Sequence, residues 1–319
     1  MLPRRALLAA ALATPALAQP AWPNRPLRMV VAWPPGGGAD TPARLVAPRL
    51  QELLGQPIII ENRGGASGAI GAGVVAQAPA DGYTLLADTS GIVTNSLTVQ
   101  GLGYDSATAF TPVCKVVDSP LMLVARPDDP AKDLQGLIAR MRAEGGKLPY
   151  ASSGNGAGTN LSTVVLMQRA GVSATHVVYR GGAQSVLGVL AGETVFTFST
   201  LPQATPLVRE GRLRALAVGT AQRLAALPDV PTVAEQGFPG FVWSEFLGFH
   251  LPAGAPPEAV QKLAAATADA VQRPDVQARL GQIGMLPAFE GPEAFAHLLA
   301  EHRTMIRGLL ASGALAREG

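Results

Sequence analysis

Apolar residues fall along this chain in two rhythms. Short continuous runs read as buried strands: "LRMVVAW" (27–33), "PIIIE" (57–61), "YTLLAD" (83–88), "PLMLVARP" (120–127), "LPYAS" (148–152), "THVVYR" (175–180), "TVFTF" (194–198) and "RLRALAVGT" (212–220). Between them, apolar residues recur at helical spacing in "TPARLVAPRLQELLG" (41–55), "AIGAGVVAQA" (69–78), "KDLQGLIARMRAEGG" (132–146), "NLSTVVLMQRAG" (160–171) and "GGAQSVLGVLAG" (181–192). The first helix has start and stop signals, with Thr41 as a cap, Pro42 at the first helical position and Gly55 at its close. Strands that alternate with helices predict an α/β protein with largely parallel sheets. Two such series are followed by a different tail. "ALPDVPTVAEQGFPGF" (226–241) is turn-rich, "VWSEFLGFHLPAG" (242–254) extended, and 256–272 and 292–311 helical.

In open α/β sheets, ligands bind beyond the carboxyl ends of the strands. That directs attention to the loops 34–40, 62–68, 89–96, 152–160, 180–184 and 199–203. The first, in "VVAWPPGGGAD", joins a strand to a helix start. Unpaired N–H groups there favour an anion, and Gly36, Gly37 and Gly38 let it approach closely. A phosphate loop needs a Gly-Lys-Ser/Thr ending and a dinucleotide fingerprint needs G-x-G-x-x-G; this stretch has neither. Asp40, at an anion site, is expected to face away from the ligand and brace the helix start. "SSGNGAGTN" (152–160) repeats the strand, glycine turn and helix. It adds Ser152, Ser153, Asn155 and Thr159 as neutral donors, suited to a carboxylate held reversibly. Thr89 and Ser90, and Ser199 and Thr200, are further hydroxyl-rich strand ends. Arg180 attracts an acid or faces solvent, and Trp33 caps the ligand or plugs its lobe.

Composition changes this picture little, and charge narrows it. The 319 residues are 48% hydrophobic, enough for a packed globular chain of two ordinary domains or one large one. The first residues, "MLPRRALLAAALATPALAQP", carry a basic Arg4-Arg5 pair, a short apolar run and the small-x-small pattern Ala16-Leu17-Ala18, as in a signal peptide over 1–18. Its removal takes 2 of the 25 Lys+Arg and none of the 23 Asp+Glu, leaving a balanced chain. No basic block with interleaved aromatics suggests nucleic acid, and no later apolar run is long enough to span a membrane. The single cysteine, Cys114, reads as a buried strand residue. His297 and His302, five apart, suit a solvated face better than a metal pair. No metal or cofactor is implied, and no nucleophile–base pair is evident. A secreted hydrolase using Ser153 or Ser67 is the competing reading and requires a histidine within about 3 Å of one serine.

Several stretches, in order, then resemble a known family: "WPNRPLRMVVAWPPGGGAD", "IIIENRGGASGAIGA", "PADGYTLLADTS", "LPYASSGNGAGTNL", "THVVYRGGAQSVLGVLAGE", "GRLRALAVGTAQRLAALPDVPTVAEQGFPGF" and "FLGFHLPAGAPPEAV". From about Trp22 onward the chain is similar to the substrate-binding proteins of tripartite tricarboxylate transporters, the Bordetella uptake gene (Bug) family. The resemblance implies a monomeric, two-lobe periplasmic binding protein that closes on a di- or tricarboxylate, acidic amino acid or aromatic acid and delivers it to membrane subunits. The lobes are expected at 19–121 with 226–319 and at 122–225. It implies ligand contacts at Gly37, Gly38, Ser153, Gly154, Asn155 and Thr159, with Thr89 and Ser90 as a further contact. Many relatives carry Asp-Asn after the strand "TVFTF", where this chain has Ser199-Thr200; the loss of that acid argues for a ligand with no positive charge. A sensory role beside a membrane kinase is the other reading of such a binder.

Overall fold

The computed structural model describes residues 22–315; the expected signal segment lies outside them. The first series runs β1 (Leu27–Val31), α1 (Asp40–Leu54), β2 (Ile58–Asn62), α2 (Ala69–Ala76), β3 (Thr84–Asp88) and α3 (Gly91–Thr98). A long strand, β4 (Phe110–Ala125), leads to the second series. That series holds α4 (Leu134–Ala143), β5 (Pro149–Ser152), α5 (Gly158–Ala170), β6 (Thr175–Val178), α6 (Gly182–Ala191), β7 (Phe196–Thr200), α7 (Leu201–Arg209) and β8 (Arg214–Val218). The tail returns through β9 (Ser244–Pro252), α8 (Pro257–Gln272), α9 (Pro274–Gln282), β10 (Leu286–Glu290) and α10 (Pro292–Ala311).

Within each series the strands are parallel: β1 with β2 and β3, and β5 with β6 and β7. The strands that join them are antiparallel, and β4 belongs to both sheets. From Phe110 to Pro120 it pairs with β9, and near Asp118 also with β10. From Leu121 to Ala125 it pairs with β7, with β8 alongside from Met122. Its two prolines stand where the ladder can do without a donor: Pro112 at a register shift, Pro120 where the partners change. The result is two α/β lobes sharing one strand.

The cores follow the sheets. Leu27, Met29, Leu85, Leu86, Phe249 and Phe295 are fully buried in the first. Phe196, Phe198 and Tyr150 anchor the second, below one face of its sheet, and Met122, Val124 and Val189 fill the other face. Helix α5 serves both lobes, since Ala157, Leu161 and Val164 pack into the first core and Leu166 into the second. The turn-rich segment 226–241, expected with the first lobe, packs Val233 and Phe241 into the second core. Phe241 stacks on Phe198 at 6.2 Å between ring centroids. Cys114 is buried in β4 as expected, and burial pushes its thiol up to about 12. His297 is exposed, but His302 is not on a solvated face: it packs against Phe246, 5.7 Å between ring centroids.

Phe198→Ala and Phe241→Ala should each destabilise the protein by about 3–5 kcal/mol in urea unfolding. Combined, they should be non-additive by roughly 0.5–1.5 kcal/mol. Strict additivity would place Phe241 outside that core.

Candidate binding site

Loops after β1, β3, β5, β6 and β7 converge on one cavity of about 190 Å³ between the lobes. The walls touch at two places. A Cβ on Gly38 would lie 3.3 Å from Thr200 Cγ2, and one on Gly181 would lie 3.4 Å from Pro34 Cγ. The volume is below the ~300–1,000 Å³ of drug-sized sites, so the cavity suits a small molecule.

Of the residues singled out in the sequence, Trp33, Gly37, Gly38, Thr89, Ser153, Thr159 and Thr200 line this cavity. Four others, Ser90, Gly154, Asn155 and Ser199, stand behind its wall, each engaged elsewhere. Ser90 donates its hydroxyl to Glu245. Gly154 packs against Ser67, and the Asn155 carbonyl accepts from Ser67 Oγ at 3.0 Å. Ser199 Oγ lies 3.4 Å from the Thr200 carbonyl and from Gln203 Oε1.

The first glycine loop has the expected geometry. The Gly36 amide donates to Asp40 Oδ2 at 2.9 Å, and Gly37 donates to the Pro34 carbonyl at 3.2 Å. The amides of Gly38 and Ala39, which line the cavity, have no protein acceptor, so α1 presents free N–H groups there. Helix α1 starts at Asp40 rather than Thr41, without a side-chain cap. Asp40 is buried behind the loop, where it also accepts from Arg44 and from Asn62 at 2.8 Å. Burial opposes its ionisation, but Arg44, the Gly36 amide and Asn62 outweigh it and hold its carboxyl below the usual range.

The second glycine loop is different. Four of its amides are already bonded within the protein: Ser153 to Thr159 Oγ1, Gly154 to Ser152 Oγ, Gly156 to Asn160 and Gly158 to Glu245. Ser153 and Thr159 also bond each other through their hydroxyls at 2.9 Å. The open donors of the second lobe come instead from "RGGAQ" (180–184), at the start of α6. Gly181, Gly182 and Ala183 line the cavity with amides that have no acceptor among the described residues, and the exposed Arg180 beside them forms no ion pair among those residues. Thr89 and Thr200 also line the cavity, and Thr200 Oγ1 is buried without a hydrogen-bond partner among the described residues.

Two acids near the cavity had no signature in the sequence. Asp88 accepts from Trp33 Nε1 at 2.7 Å and from the Thr89 amide at 2.8 Å, fixing the indole against the cavity. Its other oxygen is buried without a partner, and burial, with Glu245 nearby, pushes its carboxyl up to about 7 against those two bonds. Glu245 lines the cavity from β9; burial raises its pKa although Ser90 and Gly158 donate to it. No cluster among the described residues has the makings of a metal site. Ser67 and Ser153 bond Asn155 and Thr159, not a histidine. The serine that meets a histidine is Ser152, 2.6 Å from His176 Nε2. That pair stands off the cavity, with the ring stacked on Tyr150 and its pKa lowered by burial to about 4.

The family described as "Tripartite tricarboxylate transporter family receptor" matches residues 42–311. The protein BugT of Bordetella pertussis is 33% identical over 282 residues, 88% of this chain and 86% of that one. Among solved structures, an R. palustris protein with adipate superposes with a TM-score of 0.87 at 34% identity, covering 93% of this chain and 100% of that one. MatC from Rhodopseudomonas palustris, with bound malate, has a TM-score of 0.81 at 32% identity, covering 89% and 98%. With the match spanning both lobes and the cleft between them, the chain belongs to the receptor family of the tripartite tricarboxylate transporters.

Proposed function

We propose that this protein is a periplasmic receptor that captures a small dicarboxylate between its lobes and delivers it to the membrane subunits of a tripartite transporter. One observation carries the reading: two helix starts, α1 and α6, present open amides to a single cavity from opposite lobes, with Arg180 beside the second. Each helix start favours a negative charge. One carboxylate then sits on Gly38 and Ala39, and the other on Gly181 to Ala183 and Arg180, with Thr89 and Thr200 donating hydroxyls. The relatives solved with adipate and malate support a dicarboxylate in such a cleft. We place the lobe boundaries at the change of partners between Pro120 and Leu121 and at the start of β9, so that 226–243 moves with the second lobe. The packing of Val233 and Phe241 supports this division. The engagement of Ser67 and Ser153 away from any histidine supports binding without catalysis.

A thermal-shift panel of C4 to C6 dicarboxylates tests the reading. A ligand at about 100 times its Kd should add about 2.7 kcal/mol of stability. If no dicarboxylate raises the melting temperature, the receptor reading is lost. Arg180→Ala removes an exposed, unpaired charge. It should therefore leave the ligand-free melting temperature unchanged while weakening binding roughly 10- to 100-fold, as for a hydrogen bond to a charged group of ~1.5–3 kcal/mol. Thr200→Val removes a buried hydroxyl without a partner, so it should keep or raise stability and lower affinity by roughly 2- to 10-fold in calorimetry.

Asp88 adds a pH dependence. The folded protein keeps its proton up to about pH 7, whereas the unfolded chain releases it near 3.8. Between these values the folded state binds more protons, so stability falls as pH rises and levels off above 7, by at most about 1.4 kcal/mol per pH unit. Asp88→Asn should flatten that decline in denaturant titrations across the window. An unchanged slope would show that another group sets it.

A further inference from the structure

The expectation of an uncharged-side ligand rested on the missing acid after β7, but the fold supplies an acid from another strand. Glu245 is the second residue of β9, opposite Ser119 of β4, is 7% exposed, and forms part of the cavity wall. Every protein group that bonds it is a neutral donor. Oε1 accepts from Ser90 Oγ at 3.1 Å and from the Gly158 amide. Oε2 receives one long contact, 3.3 Å from the Ser90 amide. An ionised carboxylate oxygen has about two acceptor positions. Oε1 therefore takes two hydrogen bonds and Oε2 one long one, with the Phe246 amide a further donor to the carboxylate. The carboxylate is also held in place: a Cβ on Gly158 would lie 2.1 Å from Oε1, so only glycine allows this approach. A buried acceptor without enough donors is destabilised, and a ligand that brings a donor relieves it.

We propose that Glu245 selects, among small dicarboxylates, those that carry a hydrogen-bond donor on the carbon chain, a hydroxyl or an ammonium, to be received by its Oε2. The proposal rests on the carboxylate-receptor reading above. A plain methylene leaves Oε2 underbonded, and a third carboxylate meets like charge. Ligands with the donor should therefore bind more tightly than their unsubstituted analogues.

Calorimetry with succinate, malate and aspartate, on the wild-type protein and on Glu245→Gln, tests this. The wild type should bind malate or aspartate roughly 10- to 100-fold more tightly than succinate. The tighter of the two tells whether the donor is the hydroxyl or the ammonium. Glutamine keeps a carbonyl for Gly158 and Ser90 Oγ but turns an amide donor toward the ligand. The variant should hold succinate within about 3-fold of wild type and lose the preference for aspartate, whose ammonium cannot accept from the new amide as a malate hydroxyl can. Equal binding of all three by the wild type overturns the proposal without any variant, and so does an aspartate preference that survives in a folded Glu245→Gln. If dicarboxylates other than these three bind but none of these does, the Glu245 assignment fails and the receptor reading stands. If no dicarboxylate of any length binds, the receptor reading itself has failed and this proposal with it.

Discussion

One strand has to satisfy two sheets. β4 pairs with β9 and β10 up to Pro120 and with β7 and β8 from Leu121. Because its backbone is continuous, the lobes are held at a fixed register while remaining separate cores. The chain crosses again near Gly219, whose amide donates to the Leu121 carbonyl and whose carbonyl accepts from Trp243 at 2.6 Å. These crossings lie side by side at the level of Pro120. The parallel strands on either side aim their carboxyl ends into the same cleft. The glycine loops meet there because the shared strand leaves them no other place.

Much of this was legible. The parallel strands of both series, and helices α1, α4, α5, α6, α8 and α10, follow the apolar rhythm closely because their burial is periodic and local. What escaped was decided by pairing. The first half of β4 is interrupted by Pro112 and Pro120 and reads as broken, yet its ladder tolerates a proline where a partner shifts or changes. α7 holds Pro202 and Pro206 and looks like a loop, but Pro202 sits at the helix start and gives up only an N–H that the helix leaves unpaired anyway, while Pro206 lies inside the helix. β10, mostly half-exposed or exposed, gains its strand character only from lying beside β4.

The site shows the same division. Strand, glycines, helix start: four loops carry this pattern, after β1, β2, β5 and β6, and it marks a candidate anion site in each. Whether the amides remain open is a tertiary fact. At 152–160 they are taken by Ser152, Thr159, Asn160 and Glu245, the last from 87 residues away. At 180–184 the Arg180 amide donates to Gln184, and those of Gly181, Gly182 and Ala183 have no acceptor among the described residues. The hydroxyls that made "SSGNGAGT" attractive as a ligand loop are the groups that close it, while the plainer "YRGGAQ" stays available.

Charge then sets what the cavity accepts. A helix start carries roughly half a positive charge, so α1 and α6 with Arg180 place about two positive charges around the cleft. That is the charge of one dicarboxylate. Glu245 contributes the opposing charge, and it is received by Ser90 and by the start of α5 through Gly158, itself about half a positive charge. Asp88 avoids adding another by holding its proton to about pH 7. A dianion leaves this arrangement close to balance. A third carboxylate would have no open amide or unpaired cation to meet it and would face Glu245 directly, whereas a hydroxyl or ammonium at the same position meets an acceptor with room to spare. The cavity is therefore shaped by charge as much as by size toward acids with two carboxylates and a donor between them.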